Sequence, residues 1–185
     1  MSNLIVGQLQ GLPANNFRIS LASGSSLSIP GSIVQVGVAN TGFVNQTITS
    51  ATPQQITGLS ISITPRSSAN LIIVDSVISA SWSHVASAHV FKDGVNVTPA
   101  HGGNNQSGGT NAIWTHYASA FGTSADKVMP FPLQWYEVSG STATRTYSIR
   151  ANSGWAGGAD SLFINNRNSL DMLGSSWMRV MEVAQ

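Results

Sequence analysis

Apolar residues recur at every second position along this chain, and that spacing limits what it can fold into. Phe17-Arg18-Ile19-Ser20-Leu21 sets three apolar side chains on one side, and Leu59-Ser60-Ile61-Ser62-Ile63 repeats the pattern. Near the end, Trp177, Arg179, Met181 and Val183 alternate with Met178, Val180 and Glu182. Successive side chains of an extended strand point to opposite faces, so this spacing describes β-strand with one face buried. No window of ten or more residues carries convincing helical spacing. Between the apolar stretches lie turn signals: Pro30-Gly31, Thr64-Pro65, Asp93-Gly94, Gly102-Gly103-Asn104-Asn105, Gly108-Gly109, Ser139-Gly140 and Gly157-Gly158. Short strands broken by regular turns are the pattern of a sandwich or barrel.

Phe91-Lys92-Asp93-Gly94-Val95 is the most specific local signal. Asp-Gly accepts the positive φ angles of a two-residue type I′ turn, which predicts a hairpin between 87–92 and 95–98. Further strands are expected near 33–38, 44–48, 55–63, 70–80, 112–120, 132–138, 144–151, 161–165 and 176–184. Eight or more antiparallel strands exceed a seven-stranded immunoglobulin sandwich and predict an all-β antiparallel β-sandwich of the jelly-roll kind. A chain of 185 residues is one such domain. We place its body at 32–185 and read 1–31 as an extended N-terminal arm. Three short apolar pieces, Leu4-Ile5-Val6, Phe17–Leu21 (Phe17, Ile19 and Leu21 on one side) and Leu27–Ile29, cannot bury both faces alone. Their second face would be covered by another copy or a partner. An ordinary edge segment on the main sheet is the alternative.

Composition narrows the function. Eight Lys+Arg against seven Asp+Glu leave a net charge of +1, and charged residues make up 8% of the chain, against about 25% in an average soluble domain. So few cations exclude a polybasic nucleic-acid binder, which must neutralise phosphates. The hydrophobic share of 42% is enough for a core. Apolar runs such as Leu71–Val74 fall far short of the roughly 20 residues of a membrane helix, so no membrane insertion is expected. Residues 1–20 lack the basic start and apolar stretch of a signal peptide, so a protein made without a secretion signal is expected. Without Cys there are no disulfides and no thiolate zinc site.

The residues that carry chemistry do not form a constellation. The acids Asp75, Asp93, Asp126, Glu137, Asp160, Asp171 and Glu182 are scattered, with no pairing of the kind glycoside hydrolysis needs. Asp93 belongs to its turn. Asp75 interrupts an apolar strand and is expected at solvent or at a subunit contact, a buried Arg partner being the other reading. His84 and His89 are five apart, on opposite faces of a strand, which is wrong for shared metal ligation. His89 and His116 could meet across strands. No G-x-S-x-G elbow, H-E-x-x-H or P-loop occurs. We expect no enzyme, no metal and no cofactor.

The aromatic residues say more. Trp135, Tyr136, Tyr147 and Trp177 lie in alternating strands and are expected to pack on the core or the sheet faces. Trp155 lies in the loop Asn152-Ser153-Gly154-Trp155-Ala156-Gly157-Gly158, near Asp160, Asn165 and Asn166. A loop Trp beside such polar groups suits sugar stacking. It equally suits an interface anchor or a plug folded over the end of the sandwich. Trp155, Asp160 and Asn165 are therefore candidates for loop contact with a glycan.

The order of features also resembles a known group. The opening Leu4-Ile5-Val6-Gly7, the strand end Leu27-Ser28-Ile29, and then Pro30-Gly31-Ser32-Ile33-Val34-Gln35-Val36 resemble short virion proteins of tailed bacteriophages, notably of cyanophages and marine phages. So do Thr57–Asn70, with its Thr-Gly-Leu, strand, Ile-Thr-Pro order, and the closing strand Trp177–Ala184. The resemblance spans nearly the whole chain but carries no catalytic motif, and the Asn- and Gly-rich 99–110 stretch has no counterpart in it. It implies a homotrimeric jelly roll on the virion, serving as a capsid decoration (cement) protein that stabilises the head. Its partners would be itself and the major capsid protein, with the arm residues Leu4, Ile5, Val6, Phe17, Ile19 and Leu21 as the attachment. The alternative is the receptor-binding tip of a tail fibre, recognising host surface glycan or protein. A fibre tip usually closes a long polypeptide, whereas only about 30 residues precede this body. A glycan depolymerase ranks third.

Overall fold

The structure is a computed structural model, and it describes residues 29–83, 85–98, 114–117, 127–153, 160–167 and 173–185. The six named arm residues and Trp155 lie outside the described residues. Eleven strands follow in chain order: β1 (Ile33–Asn40), β2 (Gln46–Ile48), β3 (Gln54–Ile63), β4 (Leu71–Trp82), β5 (Val85–Lys92), β6 (Val95–Asn96), β7 (Trp114–Tyr117), β8 (Met129–Val138), β9 (Arg145–Ser153), β10 (Leu162–Ile164) and β11 (Trp177–Val183). The described residues contain no helix.

Two antiparallel sheets hold these strands. In the first, β4 pairs with β8 on one side; on the other, its residues Leu71–Val77 pair with β11 and Ala80–Trp82 with β10. Beyond these, β1 pairs with β11 and β2 with β10. The second sheet runs β3-β9-β5, with β6 and β7 on the far side of β5. Treating β1/β2 and β10/β11 as single interrupted strands, each outgoing strand pairs with its returning counterpart. The pairs are β1/β2 with β11/β10, β3 with β9, β4 with β8, and β5 with β7. A long hairpin rolled up in this way is the layout of a jelly roll, so the expected all-β antiparallel sandwich holds.

The core lies between the sheets. Ile72, Val74, Ile78 and Trp82 of β4 face Ile56, Leu59, Val90, Tyr147 and Ile149, all buried. Each fully buried aliphatic side chain is worth about 1.5–3 kcal/mol. Trp82 meets the edge of Phe131 with ring centroids 4.7 Å apart, and Trp135 tilts against Tyr147 at 5.9 Å. At one margin β1 comes close to β3. A Cβ on Gly37 would sit 2.7 Å from Ile61 Cγ2, so only glycine lets the strands approach this far.

The Asp93-Gly94 hairpin is as expected. Asp93 (φ 50°) and Gly94 (φ 82°) are both left-handed, and Phe91↔Asn96 and Lys92↔Val95 pair across the turn. Asp93 also holds β9, accepting the Thr146 N–H at 2.8 Å and donating its own N–H to the Thr146 carbonyl. Nothing lies within 4 Å of a Cβ at Gly94, so a substitution there meets only backbone strain. Gly94→Val should therefore destabilise the fold by about 1 kcal/mol or more. Gly94→Asn, which tolerates this conformation, should cost less. Equal thermal melting of both variants and the parent protein would contradict the turn.

Two local features depart from strict alternation. Between Gln55 and Ser60 the β3–β9 register shifts around Gly58 (φ 88°), so Ile56 and Leu59 both reach the core although they are three residues apart. β4 leaves the first sheet at Trp82 and the chain enters the second at Val85. Ser83 clasps that corner, its N–H on the Ser161 carbonyl (2.9 Å) and its Oγ accepting the Ser161 N–H (2.8 Å).

Candidate interaction surface

The outer face of the first sheet is built in straight rows by the strand register. Val36, Met181, Ile73 and Tyr136 form one row across β1, β11, β4 and β8. Val38, Arg179, Asp75 and Gln134 form the next, followed by Asn40, Trp177, Val77 and Pro132. Val183, Leu71 and Val138 close the other end. Val38 and Tyr136 are each 68% exposed, and Val36 and Val138 are more than half exposed. An outer sheet face is normally polar, and β3 in the second sheet follows that rule with exposed Thr57, Ser60 and Ser62. The first sheet does not.

Asp75 and Arg179 are the charged pair in these rows. Asp75 Oδ2 accepts from Arg179 Nη2 (2.6 Å) and Nε (3.2 Å), and its Oδ1 accepts from Gln134 Nε2 (2.9 Å). Asp75 is only 8% exposed. This corrects the expectation of a solvent-facing carboxylate: the other reading, an Arg partner, is what the structure has, although Arg179 itself is 44% exposed rather than buried. The guanidinium also lies 5.9 Å from the Trp177 ring centroid. Together with Val77, Pro132 and Leu133 these groups line an open depression of about 290 Å³. The pair cancels its own charge, which makes the face close to neutral.

The other polar clusters hold the fold together. Glu137 accepts from Lys92 Nζ (2.6 Å) and from the Tyr147 hydroxyl (2.6 Å), with Arg145 Nη1 at 3.5 Å. Burial, and then the Glu137 carboxylate, push the Tyr147 phenol well above its usual range. It stays a neutral donor, not a proton shuttle. His89 is fully buried, with Nε2 2.7 Å from Asn152 Oδ1. The β5–β7 register sets Ala86, not His89, opposite His116, so that register does not align the two histidines. Glu182 is fully buried and receives hydrogen bonds from the Asn70 and Gln35 side chains and from the Arg66 and Ser67 N–H groups. Burial raises its carboxyl, but these four donors outweigh it and the net displacement is downward.

Asn165 is not a loop contact. It is fully buried at the point where β10 and β11 are interrupted, opposite the break between β1 and β2. Its Nδ2 donates to Thr41 Oγ1 (2.8 Å) and the Val44 carbonyl (2.7 Å), and its Oδ1 accepts from Ser176 Oγ (2.7 Å). Every polar atom of that amide is engaged inside the protein, which removes it from the proposed glycan patch. Asp160 is half-buried beside the Ser83–Ser161 clasp. Asp93 and Gly94 sit in their turn as expected. Among the described residues no three His, Cys, Asp or Glu side chains come together as metal ligands.

Sequence reasoning missed the apolar outer face, yet the signal was present. β4 (Leu71-Ile72-Ile73-Val74), β8 (Trp135-Tyr136) and β11 (Val180-Met181) are apolar on both faces. An antiparallel strand with a single core contact alternates instead.

No protein-family model matches the chain, and no curated protein does. Several solved structures show a distant likeness. One is dimeric latent PorU from Porphyromonas gingivalis, with 9% identity over 91% of this chain and 14% of that one, at a TM-score of 0.34. Two others are infectious bursal disease virus Gt strain (14% identity, 91% and 42% coverage, TM-score 0.34) and Gx strain (14% identity, 90% and 44% coverage, TM-score 0.33). The chain spans less than half the length of each. At these scores the likeness assigns neither family nor function.

Proposed function

We propose that this chain is a structural protein of a bacteriophage virion, a homotrimer that decorates and stabilises the capsid. The observation that carries the reading is a jelly roll, one of whose sheets presents a broad, nearly neutral apolar face to solvent. Jelly rolls build many viral shells. Contiguous exposed apolar patches on a protein surface are often functional. Of the described carboxylates, Asp75, Asp93, Glu137 and Glu182 are each held by donors from other segments of the fold, which suits a structural role for these four. The sequence resemblance to short phage virion proteins supports the same class. The tail-fibre alternative leans on Trp155 and Asp160, and the burial of Asn165 takes away the third residue of that patch.

In this reading the arm attaches the protein to the major capsid protein. Burying side chains such as Phe17 and Leu21 is worth about 1.5–3 kcal/mol each, so several hold a subunit on the particle. With a net charge of +1, attachment should respond weakly to salt. The experiment deletes residues 2–15, keeping Phe17 onward, and adds the product to particles that lack the protein. A folded oligomer with most of its particle binding lost is expected. Full occupancy by the truncated protein would remove Leu4, Ile5 and Val6 from the attachment and leave it to Phe17, Ile19 and Leu21 or to the body.

A further inference from the structure

We infer that the open depression on β4, β8 and β11 is a binding site for a neutral saccharide, with the Trp177 indole as the surface on which a sugar ring stacks and Asp75, Arg179 and Gln134 as its hydrogen-bonding groups. This is independent of the virion reading, in which the arm makes the capsid contact and the outer face of the sheet stays open.

Strand register builds the site. Arg179, Asp75 and Gln134 lie side by side in one row, and Trp177, Val77 and Pro132 lie side by side in the next. A polar row thus borders an aromatic and apolar one. Trp177 keeps 37% of its surface exposed, which leaves a large apolar ring with a polar N–H at solvent. The Arg179 guanidinium lies 5.9 Å from the indole centroid, close enough for one ligand to touch both. A pyranose has the matching form: C–H groups that cover an aromatic ring, and hydroxyls around its rim.

The hydrogen-bond inventory narrows the ligand class. Asp75 commits one oxygen to Arg179 Nε and Nη2 and the other to Gln134 Nε2. Those bonds fix the three side chains before any ligand arrives, which lowers the cost of binding. Arg179 Nη1 and Trp177 Nε1 remain as spare donors, and Gln134 Oε1 as a spare acceptor. A hydroxyl both donates and accepts, so a sugar matches a mixed set. An anionic ligand would meet the Asp75 carboxylate, a cationic one the Arg179 guanidinium, and a purely apolar one would strand the polar row. An added peptide strand takes its affinity from main-chain groups at a sheet edge. Here the floor is β4, paired on both sides with β8 and β11, so its main chain is already engaged. Size agrees as well. A volume of about 290 Å³ lies at the lower end of small-molecule pockets, which begin at roughly 300 Å³. That suits one ring of a saccharide.

The experiment titrates the full chain with short neutral oligosaccharides of glucose, of mannose and of galactose, and follows the indole N–H groups by NMR. With at least one of them the Trp177 resonance, assigned by its loss in Trp177→Phe, should shift and saturate. That of the buried Trp82 should stay in place. Trp177→Ala should weaken binding at least about tenfold, and Gln134→Ala several-fold. Trp177→Phe keeps a ring and should lose less, so it remains informative if the alanine variant folds poorly. Ser60→Ala, on the polar face of β3, should bind like the parent. No shift with any of the three sugars at about 10 mM, or binding that survives both Trp177→Ala and Gln134→Ala, would overturn the inference. So would a neutral Gly-Ser peptide that shifts the Trp177 resonance as strongly as the sugars do, which would reassign the site to peptide. Particle binding is read separately, so the proposed function can stand while this inference fails.

Discussion

Glu182→Ala should lower stability by about 4 kcal/mol and the melting temperature by about 10 °C. The carboxylate lies fully buried at the seam between β11 and the turn 64–70, and four donors converge on it. Removing it orphans the Asn70 amide and two backbone N–H groups, each at about 1–3 kcal/mol, and leaves a cavity. For a domain of this size 1 kcal/mol moves the midpoint by about 2–4 °C. Glu182→Gln keeps the volume but turns an NH₂ toward donors, so a smaller loss of about 2 kcal/mol is expected.

The same group sets an acid limb. Its folded pKa lies below the ordinary glutamate value of the unfolded chain. Below that value the unfolded chain takes up a proton that the folded one still refuses, so stability is present above it and drains as pH falls through the folded pKa. Glu182→Gln should lack this part of the acid sensitivity. Urea unfolding at pH 7 and at pH 3 reads both effects. Parallel losses in parent and variant between the two pH values would contradict the assignment.

The second large effect is expected at Asn165, which joins the two strand interruptions. Its backbone is left-handed (φ 62°) and its amide makes three hydrogen bonds, two of them buried. Asn165→Asp keeps the shape but loses both donated bonds and sets a carboxylate against the Thr41 oxygen and the Val44 carbonyl, with an expected loss of about 3–5 kcal/mol. Asn165→Gly accepts the backbone conformation but gives up the amide, and should lose about 2–3 kcal/mol. Chemical denaturation should rank them in that order. A glycine variant worse than the aspartate would mean that the Ser176 bond and the side-chain volume, which the aspartate keeps, outweigh the two lost donors.

Strand positions were legible because period 2 is a local signal. The expected 55–63, 132–138 and 144–151 differ from β3, β8 and β9 by only a few residues at their ends. The Asp93-Gly94 turn was legible because one dipeptide encodes it. Four things were hidden, each for a physical reason. Leu162–Ile164 and Trp177–Val183 read as separate strands, while their union into one interrupted strand depends on Thr41, Asn165 and Ser176 meeting across more than a hundred residues. Buried polar residues look like surface residues in a sequence, so Asn165 read as a ligand contact and Glu182 as an ordinary strand residue. Asp75 read as exposed because its cover, Arg179, comes from a strand 104 positions away. The apolar outer face was written into β4, β8 and β11, but apolar-on-both-faces reads simply as core until the sheet order shows that one side is open.

The central claim, a decoration protein on a phage head, is tested most directly by electron microscopy of intact particles. Antibody or a fused tag should mark this chain on the virion. The account predicts density for a trimeric jelly roll at three-fold or quasi-three-fold positions of the capsid, present on particles carrying the protein and missing from particles without it. Label at the tail tip, or particles devoid of the chain while the lysate contains it, would contradict the account.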